Sequence, residues 1–298
     1  MHLMRQILDF IQRRSLLIVA IAFLIGFSTS LIHTSAGMSA PSPDSTKTEA
    51  LNRALAKLPA PQPHPLPSSL ATWKSPPNSD DYFDQVQSVV VGALIWTSFP
   101  VRVYIQPSTP AEDAVPFTAK RSRDWIAAAQ KAVQEWNRYL PLTLVNQSDA
   151  ADITIWRSAP PLRIEKAPAS TGDRAPLIPR ARSAETRFEL YTIPRPATQC
   201  TSAPSTLPQS SACPSIPYLA HRVTIHIRPD QAVDYLQAAA RHELGHALGI
   251  WGHSPNQTDA LYFSQVRNPA PISARDINTL KRVYEQPTRL GWAMKPGT

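Results

Sequence analysis

The chain has 298 residues, 43% of them hydrophobic, enough for one good-sized core with appendages. It carries 31 prolines against 9 glycines, and a formal charge of +8. The basic excess is spread over an N-terminal tail (Arg5, Arg13, Arg14) and a loop region from Arg157 to Arg195. With no basic helix and no aromatic-interleaved patch, composition argues against nucleic acid as a partner.

At the N-terminus, Arg5, Arg13 and Arg14 precede the apolar stretch SLLIVAIAFLIGF. A positive flank followed by a hydrophobic segment is the pattern of a secretory signal or a signal anchor. The unbroken run Leu16–Phe27 is short for a membrane span, which needs ~20 residues. Counting through Ile32 makes a span possible, and small residues at Ala36, Gly37, Ser39 and Ala40 offer cleavage sites. Residues 1–39 are therefore expected to be a signal peptide or a retained anchor. The rest is expected outside the cytoplasm, membrane-anchored or, after cleavage, secreted or periplasmic.

Residues 40–81 are rich in Pro, Ser, Ala and Thr and read as a semi-extended linker, with His64 solvated in it and one short helix in TEALNRALAKL. The compact domain is expected over 82–290, with a tail at 291–298. Trp96–Pro107 alternates Val101, Val103 and Ile105 with polar residues, the pattern of a half-buried strand. A helix is expected from Ser122 to Tyr139, because Trp125, Ala129, Ala132, Val133 and Trp136 fall on one face; Pro141 ends it. Short strands follow at Leu142–Val145 and Ile153–Trp156, and a further strand-like piece is RFELYTIP, Arg187–Pro194.

Cys200 and Cys213 lie in a Pro/Ser/Thr-rich loop; in an exported chain a disulfide between them is the expectation, and two free thiols the alternative. HRVTIHIRP gives another alternating strand. A long helix is expected from Gln231 to Ile250 and a last one from Ser273 to Glu285, with Ser273 as N-cap and Asp276 three residues on. The order of elements implies an α+β fold: one mixed sheet packed against helices.

The stretch HELGHALGIWGHS, His242–Ser254, carries the chemistry. His242 and His246, four apart on a helix, point the same way. Val233, Leu236, Ala240, Leu244, Ala247, Leu248 and Trp251 fall on roughly the opposite face, and the histidine side is otherwise small (Ala238, Gly245, Gly249). Glu243, about a quarter-turn round from His242, reaches toward a bound water without being a ligand: a general base, then a proton donor to the departing amine. Gly249 can take the left-handed conformation that ends a helix, and the turn would swing His253 back to the same ion. Three neutral imidazoles and one water make an open tetrahedral zinc site. The expectation is a zinc-dependent peptidase with one catalytic Zn2+.

The stretch resembles the metzincin clan of zinc endopeptidases and, within it, the matrixin family (matrix-metalloprotease-like), whose members read HExxHxxGxxH, then Ser, then after several residues Met-Tyr. HELGHALG matches as it stands. Three residues, Ile250, Trp251 and Gly252, separate Gly249 from His253 where the family has two, and Ser254 follows as in the family. DALYF matches the Met-turn, with Leu261 at the methionine position and Tyr262 after it. KAVQEWNRYLPLTLV, ADITIW and ISARDINTLKRVY resemble the family's first helix, next strand and C-terminal helix.

The resemblance implies a metzincin-like domain and a peptide or protein substrate lying extended above the zinc helix and pairing with an edge strand, for which RFELYTIP is the candidate. Tyr262 and Phe263 would line the pocket for the side chain following the cut. The family's structural zinc and calcium segment is not recognisable between residues 157 and 220, so neither Ca2+ nor a second Zn2+ is expected; His221 and His226 read as strand residues. The cysteine switch is absent. Two competing readings remain: a catalytically weak relative acting as a surface binding module, and a zinc hydrolase whose third ligand is Glu285.

Overall fold

The computed structural model describes residues 58–161, 182–194 and 217–294, together with residue 56. The N-terminal apolar segment and both cysteines lie outside the described residues. Among the described residues no helix is long and apolar enough to cross a membrane.

The chain runs through a short helix α1 (Ser68–Thr72), strand β1 (Val101–Ile105), a one-turn helix α2 (Pro110–Asp113), helix α3 (Pro116–Trp136), strands β2 (Leu142–Val145), β3 (Ile153–Trp156), β4 (Ala184–Ile193) and β5 (Tyr218–Ile227), helix α4 (Val233–Ala247) and helix α5 (Ala274–Tyr284). The strands form one sheet in the order β2-β1-β3-β5-β4. All neighbours are parallel except β4, which runs antiparallel to β5 over ten residue pairs and occupies the outer edge.

Period-two patterning decides which face is buried. Val101, Val103, Ile153, Ile155, Val223, Ile225 and Ile227 point to one side, and α3 and α4 cover them with Trp125, Trp136, Leu236 and Leu244 in a single apolar core. A mixed sheet against helices is what the pattern of elements implied. β1 is shorter than its alternation suggested, since Pro100 and Pro107 have no N–H for a ladder. Helix α3 starts six residues before the expected Ser122, with Pro116 at its first position, where the missing donor costs nothing. Val233, assigned to the apolar stripe of the motif helix, is 47% exposed because it opens that helix at its solvent end, and Trp251 lies beyond the end of the helix.

The largest departure is in the Pro-rich stretch. Residues 58–81 are not a free linker: they form a strap docked on the domain. Leu70 is fully buried in the core, with Leu66 and Trp73 packed against it. Gln62 and Thr288 exchange two backbone hydrogen bonds of 2.9 and 3.0 Å. Trp73 Nε1 donates to Asn278 Oδ1 at 2.9 Å, and His64, expected in solvent, bonds the Leu290 carbonyl at 2.8 Å and stacks on Trp292. Extended proline-rich chain needs no ladder of its own. Three large apolar side chains are enough to hold it down where a groove is offered. Here α5 and the C-terminal stretch offer one.

Candidate metal centre

Helix α4 carries its motif on a well-anchored frame. Trp136 Nε1 donates to the Arg241 carbonyl at 2.8 Å and Trp96 Nε1 to the Ala247 carbonyl at 2.9 Å. Arg241, beside the first histidine, is buried in an ion pair with Glu135 of α3 (2.6 Å) and donates to the Ala270 carbonyl at 2.7 Å. The last contact ties the loop after Leu261 to the helix.

The helix ends in a Schellman turn. Gly249 has φ of +130°, its N–H bonds the His246 carbonyl at 3.0 Å, and the Ile250 N–H bonds the Gly245 carbonyl at 3.0 Å. The turn carries the Ile250 carbonyl to His246 Nδ1, at 2.7 Å. The Ala260 carbonyl meets His242 Nδ1 at 3.0 Å. A carbonyl oxygen only accepts, so both Nδ1 atoms carry the proton and both Nε2 atoms present lone pairs. These Nε2 atoms stand 3.1 Å apart, and between two neutral rings so held neither has a proton to give the other. Two lone pairs so placed repel unless a cation lies between them. Nitrogens bound to one tetrahedral zinc at ~2.1 Å would be ~3.4 Å apart, close to the spacing found.

The chain does turn back at Gly249. The His253 ring centroid lies 5.2 Å from that of His242 and 4.9 Å from that of His246, and one ligand atom from each of the three falls within 4.8 Å of the others. Burial, reinforced by His242, holds His246 well below the usual imidazole range and His253 at about 4. Neutral imidazole is the form a metal requires, so the donor set suits zinc.

Glu243 is buried beside these rings. Burial raises its carboxyl above the ordinary value; His242 and a hydrogen bond from Thr186 oppose the shift. Thr186 Oγ1 lies 2.5 Å from Glu243 Oε2 and 3.1 Å from the Glu243 carbonyl. Thr186 belongs to β4, so the edge strand and the glutamate share one wall.

Leu261 is fully buried against the helix at Gly245, where a Cβ would sit 2.5 Å from its Cδ2. The Leu261 carbonyl accepts from the Ser254 N–H at 2.8 Å, which closes the loop around the third histidine. Buried acids hold this loop. Asp259 takes Ser254 Oγ, Ser273 Oγ (2.7 Å) and Arg275 Nε (3.0 Å). Asp276 takes the Ala260 and Leu261 N–H groups and the Tyr82 hydroxyl. Past Leu261, Tyr262 and Phe263 have their rings 4.5 Å apart, and Phe263 is 64% exposed.

The expected residues His242, His246 and His253 thus come together, with Glu243 next to them. Glu285 caps α5 and is not in the group. His221 and His226 are both on β5: His221 is buried and stacked on Trp96, and His226 Nδ1 bonds Ser158 Oγ at 2.8 Å. Among the described residues the three histidines are the grouping of His, Cys, Asp and Glu able to hold a metal ion. Thr186, Asp259 and the loop-holding role of Asp276 are not legible in the sequence. The capping box at Ser273 is present as expected, but Asp276 serves the loop as well.

Compared with models of known protein families the chain matches none, and no curated protein matches it.

Proposed function

We propose that the chain is a zinc-dependent endopeptidase of metzincin type, acting on peptide or protein substrates outside the cytoplasm. The observation that carries the reading is the pair of Nε2 atoms 3.1 Å apart, each ring held at Nδ1 by a carbonyl, with the His253 ring close to both and a buried glutamate alongside. Further support comes from the sheet. RFELYTI, Arg187–Ile193, lies in β4, the antiparallel outer strand, which among the described residues pairs on one side only and leaves its other edge for an extended peptide to lie against.

His242, His246 and His253 would hold the ion. A bound zinc ion supplies Lewis acidity at the scissile carbonyl. Glu243 takes a proton from the attacking water on its carboxylate and delivers it to the leaving nitrogen; a carboxyl raised by burial is better matched to both transfers near neutral pH. Thr186 fixes which oxygen of Glu243 is free, since Oε2 is engaged by its hydroxyl. β4 holds the peptide backbone in register, and Phe263, with Tyr262, offers apolar surface to the side chain following the cut.

Metal content and cleavage of a generic denatured protein should be measured on the purified chain and on Glu243→Ala. Stoichiometric zinc with cleavage lost in the variant is expected. Zinc with no cleavage that depends on Glu243 would favour the binding-module reading, and absence of metal would end both.

A further inference from the structure

We infer that residues Gln85–Gln87, in the segment that leads from the strap into the sheet, set the position of His253 and so tune how tightly the centre holds its metal. The inference rests on the three-histidine reading and adds a positioning element to it.

The three rings are not held alike. His242 and His246 are each fixed by an Nδ1–H bond to a carbonyl. Among the described residues the His253 ring makes no such bond, and His253 is the most exposed of the three, only part of its ring being shielded from solvent. Its place is therefore the place of its backbone. On the C-terminal side that backbone is fixed by Ser254, whose N–H bonds the Leu261 carbonyl. On the N-terminal side three residues separate Gly249 from His253, and a loop of that length needs an outside support to hold one shape.

The support comes from far upstream. The Gln87 N–H donates to the Trp251 carbonyl at 2.8 Å. Gly252 lies flat against the same segment: a Cβ there would stand 2.1 Å from the Gln85 carbonyl oxygen and 2.9 Å from Val86 Cα, which backbone cannot give way to cheaply. The Trp251 ring rests between His246, at 6.0 Å, and Phe188, at 5.0 Å. The supporting segment is itself secured, since Arg282 of α5 pairs with Asp81 at 2.9 Å and lies over the Phe83 ring at 4.5 Å. The longer loop before His253 and the glycine at 252 thus fit one another: the extra residue is taken up by pressing bare backbone against Gln85.

The test uses the full-length chain, with zinc and cobalt(II) as probes. Zinc dissociation constants are measured by chelator competition, and cobalt(II) absorption spectra recorded, for the wild type, Gly252→Ala, His253→Ala and the double variant, at a temperature where thermal melts show each to be folded. Gly252→Ala should weaken zinc binding by ~10–100-fold, the range for groups that orient a ligand, and shift the cobalt spectrum toward that of His253→Ala. The double variant should bind no more weakly than His253→Ala alone, because both changes remove the same ligand. A purely structural role would lower the melting temperature and leave the spectrum unmoved. Zinc binding by Gly252→Ala equal to wild type, or losses that multiply in the double variant, would overturn the inference. Should Gly252→Ala not fold, Gln87→Pro removes the N–H on Trp251, in exchange for a side chain with no hydrogen bond among the described residues and after a Val86 that is already extended (φ −84°, ψ 125°), and must meet the same criteria. A wild type that binds no metal fails the three-histidine reading itself, a result distinct from a metal-binding wild type unaffected by either variant.

Discussion

Asp276 Oδ2 accepts the Ala260 N–H at 2.9 Å, and the Ala260 carbonyl accepts from His242 Nδ1 at 3.0 Å, so a side chain of the last helix stands two hydrogen bonds from the first histidine of the cluster. All four groups on Asp276 are donors: the Ala260, Leu261 and Ser273 N–H groups and the Tyr82 hydroxyl. Asp276→Asn leaves one oxygen to serve them and turns an amide N–H2 toward the rest. At ~1–3 kcal/mol for each buried group left unpaired, the variant should unfold at clearly lower denaturant and bind zinc more weakly in chelator competition. Unchanged values in both measurements would show that the carboxylate does not support the loop.

Thr186→Val keeps the shape of the side chain on β4 and deletes the bond to Glu243 Oε2. The carboxyl should rise further, because the bond from Thr186 opposes the effect of burial. Turnover should fall about tenfold, the lower end of the range for groups that orient an active-site side chain, with zinc affinity unchanged. The acidic limb of the pH–rate profile should move to higher pH. A loss of zinc instead of turnover would place Thr186 in a different role.

His221 has a buried Nε2 with no hydrogen-bond partner, and burial holds the ring at about 3, with Asp152 opposing the shift. An imidazole that titrates near 6.5 when unfolded and about 3 when folded binds its proton preferentially in the unfolded chain. Its effect on stability is therefore absent above pH ~6.5 and grows as the pH falls toward 3. At pH 4.5, two units below the unfolded value, it amounts to roughly 2–3 kcal/mol. Comparing urea unfolding at pH 7 and pH 4.5, His221→Phe should lose less stability than the wild type by about that amount; equal losses would rule the residue out.

Leu261 is fully enclosed against Gly245 of the motif helix. Leu261→Met, close in volume, should cost under ~1.5 kcal/mol and keep zinc binding. Leu261→Ala should cost ~2–5 kcal/mol and open space beneath Gly245, measurable as a lower unfolding midpoint. Tolerance of alanine without loss would mean the side chain is not packed.

Helical period alone puts His242, Glu243 and His246 in their relation, because residues four apart must share a face. The return of His253 is less determined by sequence, since three residues of loop admit many paths. Gly249 marks the turn, but the segment at Gln85–Gln87 chooses the path, and it lies more than 160 residues upstream. Thr186 has no local signature: a threonine in an alternating strand reads the same whether it faces solvent or a glutamate. The strap shows the opposite difficulty. Its composition is that of unfolded chain, and the one apolar trace in it, Leu66, Leu70 and Trp73 at four- and three-residue spacing, covers little more than the single turn of α1, too short to stand out against the prolines.

Arg289 Nη1 bonds the Pro59 carbonyl at 2.5 Å, close to the two backbone bonds between Gln62 and Thr288. The first and last described stretches therefore run side by side, and both ends of the domain emerge at one pole. A linker of a few residues joining residues 58 and 294 should close the described domain into a circle, and a new opening at the exposed turn around Gln147 should yield a circular permutant with its three-histidine cluster intact.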